Sequence, residues 1–375
     1  MKSSVRVCCL GFLLFAGLGA DAFAERPRTT TAPGALDKAF IRATHPHLDD
    51  ATFERKWREA LVSPVMFIRA FPAAFHRTAT GLTAPGSEGL CLGDAHPGNF
   101  GFLDVGGRAQ FAYNDLDDSG YCRAAIDALR YFTALHLFFN DAGLVKDVLE
   151  RYVDVLKDPS KADQVKGKHW PDWADVRGKG LAKNTRGAQL TGDTLSAVSA
   201  RDGTAIAQLL ASTKPYKSAR VLHVAAVARD SGGSGGLRRY WALVERSGGR
   251  TIVELKESTT PGVEWGTSTR KLPFATRLAP LKAAFWSTRD TNDYFYVGWA
   301  RAWFLVRDRF TKKSLDVLEL GAGDRKDVMQ AQVSHMAALH TRALSEVKKD
   351  ELRAWLATHA ASQAALWSAA YRARR

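Results

Sequence analysis

The chain has 375 residues, of which 46% are hydrophobic and 25% charged, with a formal net charge of +14. This is an ordinary globular composition, long enough for one large domain or two lobes, and unlike that of a disordered or fibrous chain. The basic excess suits polyanionic neighbours such as nucleic acid, an anionic surface or phosphorylated ligands, and it equally serves solubility.

Residues 1–24 read as an export signal. Lys2 and Arg6 precede a short apolar run, Val7 to Leu18, and Ala22-Phe23-Ala24 has the small-x-small form of a cleavage site. A membrane anchor needs about 20 apolar residues, which this run lacks. The expected location is periplasmic or secreted, with no transmembrane segment after cleavage. Residues 25–89 form an N-terminal helical segment after a Pro/Thr/Gly-rich start at 25–35. Asp49 or Asp50 caps a helix from Ala51 to Leu61, and Ser63-Pro64 opens another over Val65–Thr78.

Residues 90–156 are the expected large-lobe core. Leu90-Cys91-Leu92 is a short strand leading to Gly93-Asp94-Ala95-His96-Pro97-Gly98-Asn99. Phe100–Val105 and Gln110–Tyr113, joined at Gly106-Gly107, read as a β-hairpin that ends in Asn114-Asp115-Leu116-Asp117-Asp118. Ala124–Asn140 is a buried helix whose end Gly143 marks, and Val145–Leu156 is the next. Cys91 and Cys122 flank the hairpin and form either one disulfide or two buried thiols.

Residues 157–215 read as a basic surface insertion. Gly, Trp and Pro interrupt any helix in Lys157–Arg186, and the pattern is not that of a sequence-specific nucleic-acid module. Residues 216–310 read as an antiparallel meander: Val221–Arg229, then Gly232, Gly233, Gly235 and Gly236, then Arg239–Arg246, a turn at Gly248-Gly249, and Arg250–Glu257. Phe295–Arg307 adds one or two strands. Residues 311–375 contain two helices, Lys326–Val347 with Met329, Val333, Met336, His340, Ala343 and Val347 on one stripe, and Glu351–Arg372.

Asp94 follows a glycine at a strand end, which sets a carboxylate in a loop open to a cleft. His96 and Asn99 share its turn. The Asn99 amide oxygen and the Asp115 carboxylate are hard ligands suited to Mg²⁺. The glycines at 232, 233, 235 and 236 allow backbone N–H groups to approach phosphates, or make a floppy hairpin tip.

The run G-D-A-H-P-G-N-F resembles the catalytic loop of aminoglycoside phosphotransferases and related kinase-like enzymes, and Asn114-Asp115-Leu116-Asp117 resembles their metal-binding segment. Ile252-Val253-Glu254-Leu255-Lys256 resembles the kinase strand whose lysine meets nucleotide phosphates. The stretch from Ser63-Pro64 through Asp115–Asp118 to Asp127 and Arg130 resembles the bacterial family called domain of unknown function 2252. The resemblance implies an α+β, two-lobed, protein-kinase-like fold with an antiparallel small-lobe sheet and a mostly helical large lobe. It implies Asp94 as catalytic base, His96 as its orienting partner, Asn99, Asp115 and Asp117 as metal ligands, and Asp127 as a buttress. It further implies Mg²⁺ with ATP or another nucleotide held by Lys256 and the glycine turn. Because glycine turn and lysine follow the catalytic loop, and Leu339-His340 resembles a helix that normally precedes it, the resemblance implies circular permutation. The glutamate partner of Lys256 is not evident; Glu264 is the nearest guess, since Glu257 falls on the opposite strand face.

The leading expectation is Mg²⁺-dependent phosphoryl or nucleotidyl transfer to a small-molecule or protein acceptor, with Asp94→Ala abolishing transfer and sparing the fold. The alternative is a non-catalytic binder of a phosphorylated or polyanionic ligand. A metal-dependent phosphoesterase ranks third, because none of the ten histidines sits in the G-N-H or G-H-x-H setting such enzymes use.

Overall fold

The computed structural model describes residues 36–374, apart from 106–107, 230 and 287–293. The export signal, the start at 25–35 and the Gly106-Gly107 turn lie outside the described residues. The fold is α+β: a helical body carries a small hairpin sheet, and a six-stranded antiparallel sheet packs beside it.

The helical body is built around Ala124–Phe139, which buries every residue from Ala124 to Leu135. A stretch buried on every side, whose Asp127 and Arg130 need partners, has no solvent face and must be wrapped by others. Ala142–Lys157, Ala322–His340 and Lys349–Arg372 do this. The amino-terminal helices join the same core through aromatic rings. Phe67 packs on Trp367 with centroids 5.5 Å apart, and on Phe71 at 5.5 Å, so the two ends of the described chain share one core. Truncating such a ring to alanine costs about 3–5 kcal/mol. Asp49 caps the helix Asp50–Ala60 by accepting from Thr52 N–H, and Ser63 caps Pro64–Ala70.

The six-stranded sheet runs, in spatial order, Tyr294–Trp299, Ala302–Asp308, Gly249–Ser258, Arg239–Arg246, Arg220–Val227 and Leu195–Ala197. The central strand Gly249–Ser258 buries Thr251 through Ser258, as a strand covered on both faces does. Phe295–Arg307 therefore supplies two strands. A separate sheet pairs Lys312–Ser314, Phe100–Val105 and Arg108–Tyr113, and Glu88–Cys91 pairs with Gly120–Arg123.

Several expectations change. Val65–Thr78 is two helices, Pro64–Ala70 and Pro72–Thr78, because Pro72 cannot continue the first. The buried helix stops at left-handed Asn140 (φ 47°), and Gly143 lies inside the next helix. The basic segment does form helices, Trp173–Asn184 and Ala200–Ala211, and its strand Leu195–Ala197 is the edge of the main sheet. It is therefore part of the fold and not an appended insertion. The stripe helix ends at His340, so Ala343 and Val347 lie beyond it. Among the described residues, no helix is long and apolar enough to cross a membrane.

Candidate functional site

The strand Glu88–Cys91 delivers the loop that starts at Gly93. Gly93 has φ +80°, and a Cβ there would lie 1.9 Å from the Asp118 carbonyl oxygen, so only glycine fits. The loop rests on Asp127, whose carboxylate accepts from the N–H groups of Leu92 (2.7 Å) and Gly93 (2.9 Å). Asp127 meets His340 Nε2 at 3.2 Å, and His340 Nδ1 meets the Tyr152 hydroxyl at 2.8 Å. All three are buried, so His340 is a satisfied core histidine that supports the loop from below.

Asp94 is gripped on every side. Its Oδ1 accepts from Arg130 Nε (3.2 Å) and Nη2, and its Oδ2 lies 3.5 Å from His96 Nε2. Asn99 Nδ2 donates to the Asp94 carbonyl (3.0 Å) and to Oδ2 (3.2 Å). The Gly98 N–H donates to His96 Nδ1, so a neutral ring carries its proton on Nε2, facing Asp94. Burial pushes the Asp94 carboxyl up, but Arg130 and His96 outweigh it and hold it below the usual range. Burial likewise pushes His96 down. Asp94 is thus an ion at neutral pH.

The hairpin Phe100–Tyr113 brings Asp115, Asp117 and Asp118 back to the same loop. Lys256, from the central strand of the large sheet, lies 3.5 Å from Asp115 Oδ1 and contacts Asp117 directly. Burial would raise Asp115, but Lys256, Lys312, Arg307 and Arg239 prevail and hold it well down. Its side chain keeps 30% exposure, so cleft water weakens each of these terms. Asp118 goes the other way: burial, with Asp94 and Asp117 nearby, pushes it up to about 7, although Gly262 N–H donates to it at 2.8 Å. Burial lowers Lys312 to about 7.

The glycine turn is held by a residue that sequence reasoning missed. Lys56, 1% exposed on the helix Asp50–Ala60, donates to the carbonyls of Gly232 (2.9 Å), Gly233 (2.5 Å) and Gly235 (3.5 Å). Gly236 has φ +80°, and a Cβ there would meet Thr52 at 2.5 Å. The turn is therefore clamped to the amino-terminal helix. Among the described residues, the N–H groups of Gly232, Gly233 and Ser234 make no hydrogen bond. A lysine on a polar helix face gives no sequence signal of such a role.

Glu254 was also missed as a functional group. It sits two residues before Lys256 and so on the same strand face. It is fully buried and pairs with Arg239 (2.9 Å), Arg307 (2.6 Å) and Arg309 (3.3 Å). Burial opposes its ionisation, but the three guanidinium groups hold it well below the usual range. Its signal was the alternation Glu254–Lys256 together with Arg307 and Arg309 on and just past the neighbouring strand.

These groups enclose a cleft of about 280 Å³ between the sheet and the helical body. Of the residues singled out in the sequence, Asp94, His96, Asn99, Asp115, Asp117, Gly232, Gly233 and Lys256 line it, and Gly235 and Gly236 do not. No glutamate meets Lys256 among the described residues: Glu257 pairs with Arg238 at 2.8 Å and Glu264 with Lys271 at 3.8 Å. Cys91 and Cys122 form a disulfide. The oxygen set of Asn99, Asp115 and Asp117 fits a Mg²⁺ ion, and Asp117 Oδ1 is buried without a partner. The polar wall fits phosphate groups. Apart from the His96 imidazole, which stacks on Phe138, it offers no aromatic or aliphatic side chain to a nucleobase among the described residues.

No match was found among curated proteins or among solved structures. Residues 48–221, just under half of the chain and including Lys56, Asp94, Asn99, Asp115 and Asp117, match the model of the family described as an uncharacterized protein conserved in bacteria, DUF2252.

Proposed function

We propose that the protein is a kinase-like, two-lobed and circularly permuted phosphotransferase, which binds a phosphate donor between its sheet and its helical body. It passes a phosphoryl or nucleotidyl group to a hydroxyl or amine acceptor. The observation that carries this reading is the meeting of Lys256 with Asp115 and Asp117, across 141 and 139 residues of chain, beside Asp94 and Asn99. A glycine-rich turn ahead of a strand lysine, facing a loop aspartate and a metal-type aspartate, is the set of parts that phosphoryl transfer uses.

For phosphoryl transfer to a hydroxyl, the acceptor oxygen attacks the terminal phosphorus, and the bond to the donor's bridging oxygen breaks with its electron pair leaving on the donor. The acceptor proton goes to Asp94 Oδ2 and then to solvent. Asp94 is too well paired to be a strong base, so its main task is to align the acceptor; a loose transition state asks for little more. Lys256 and the N–H groups of the turn hold donor oxygens. A Mg²⁺ ion held by Asn99, Asp115 and Asp117 would offset phosphate charge.

The test is ³¹P NMR of ATP or tripolyphosphate with Mg²⁺, water serving as acceptor. Slow phosphate release is expected, falling about 100-fold or more in Asp94→Asn. Asp94→Ala is the poorer variant, because it removes both side-chain oxygens that accept from the buried Arg130 and from Asn99, where asparagine keeps one acceptor. The buried pairing argues against the expectation that alanine spares the fold, since removing one partner of a buried ion pair is strongly destabilising. Unchanged release in Asp94→Asn would remove Asp94 from the chemistry. The missing glutamate partner of Lys256 favours a second reading, a non-catalytic phosphate binder; ligand binding with no turnover would select it.

A further inference from the structure

We infer that the cleft takes a compact ligand carrying several phosphate groups and no nucleobase, with Arg239, Arg307 and Arg309 forming a second phosphate subsite beside Lys256. The inference rests on the phosphate-binding part of the reading above and departs from it over the donor.

Beyond Lys256 along the same strand face, the wall is Glu254 with its three arginines. A nucleobase needs an apolar slot, and here that place is ionic. The ring of Trp241 is covered by Arg309, with the guanidinium carbon 3.8 Å from the ring centroid, and Tyr294, paired opposite Arg307, does not line the cleft. Glu254 offsets one of the three positive charges. It also fixes their geometry, and Arg239 is tied to the glycine turn through Ser234 Oγ at 3.0 Å.

The arginines keep donors to spare. Arg239 Nε, Arg307 Nη1 and Arg309 Nε are buried and make no hydrogen bond. Arg239 and Arg307 are 4% and 14% exposed in their side chains. Buried guanidinium N–H groups left over in this way are unfavourable unless an anion meets them. Among the described residues, Arg69, Arg229 and Lys312 also line the cleft with no carboxylate at ion-pair distance. Positive charge thus continues from the turn, through Lys256, to the arginine wall. A continuous row of cations suits adjacent phosphates, and guanidinium forks suit their oxygens.

Two sources share this chemistry, linear inorganic polyphosphate and a multiply phosphorylated polyol. Isothermal titration of the protein with tripolyphosphate, inositol hexakisphosphate, ATP, adenosine and orthophosphate separates them. Tripolyphosphate or the polyol should bind at least as tightly as ATP, and adenosine should not bind. The tighter of the first two identifies the source. Arg309→Ala should weaken that ligand about tenfold or more and leave orthophosphate, held at Lys256 and the turn, within about twofold. ATP binding about tenfold tighter than tripolyphosphate, or any binding of adenosine, would reveal a base slot and overturn the inference while leaving phosphate transfer standing. Equal weakening of every ligand by Arg309→Ala would reduce the cluster to bulk charge. Absence of binding by all five would sink both readings. The wild-type ranking needs no variant, so it decides the matter even if Arg309→Ala does not fold.

Discussion

At the scale of single residues, the site shows buried charges in unequal states. Asp94, Asp115 and Glu254 are ions because guanidinium and ammonium groups outweigh their desolvation. Lys56 is the opposite case. Burial lowers it to about 7, with Asp118 and Asp94 opposing the fall and Lys256 adding to it. A lysine in the unfolded chain titrates near about 10.4. Between pH 7 and 10 the unfolded state therefore holds a proton that the folded state has released, and stability rises with pH across that window. Lys312 acts in the same sense. Urea unfolding from pH 7 to 10 should show the rise, and Lys56→Met should flatten its share, at most about 1.4 kcal/mol per pH unit. An unchanged slope in the variant would mean that the Lys56 ammonium stays charged on the turn carbonyls throughout.

At the scale of elements, the hairpin that carries the carboxylates was the most legible part of the sequence. The two runs Phe100–Val105 and Gln110–Tyr113, flanking Gly106-Gly107, gave the strands, and the clustered polar groups on either side pointed to the candidate site. The disulfide closes this unit. Cys91 and Cys122 lie on the paired strands Glu88–Cys91 and Gly120–Arg123, and the loop between them contains Asp94, Asn99, Asp115 and Asp117. Closing a loop of 31 residues contributes about 3–4 kcal/mol in the chain-entropy picture. Equilibrium unfolding with and without reductant, paired with alkylation mass spectrometry, should show a loss of that size. The loss should appear equally in Cys122→Ser. No change on reduction would mean that strand pairing alone holds the loop. Less legible were Lys56 and Glu254, because a charged residue on a helix or strand carries no local sign of partners far away in sequence. Lys56 and the Gly232 carbonyl are 176 residues apart.

At the scale of the whole molecule, the α+β class was what the resemblance implied, and the antiparallel meander followed from strand-like runs and glycine turns. The basic segment did not. Its strand Leu195–Ala197 pairs with Ala225–Val227, and pairing of so short a strand is decided by the sheet edge it meets and not by its own pattern. The two bodies face each other across the cleft through Lys256, the ammonium that neutralises Asp115 and Asp117. Lys256→Ala should leave those carboxylates, with Asp118 beside them, facing one another without that cation. Losing one partner of a buried pair costs about 3–5 kcal/mol, and the exposure of Asp115 reduces this to about 2–3 kcal/mol. If the same oxygens form a divalent-cation site, millimolar Mg²⁺ should restore about 1–2 kcal/mol to the variant, more than it adds to the wild type. Sodium chloride at matched ionic strength should restore less, since screening acts weakly on buried charge. Thermal melts of both proteins in the two salts provide the comparison. Equal recovery in sodium chloride would show that the carboxylates need only screening, and no loss in Lys256→Ala would show that they are not held together by this lysine.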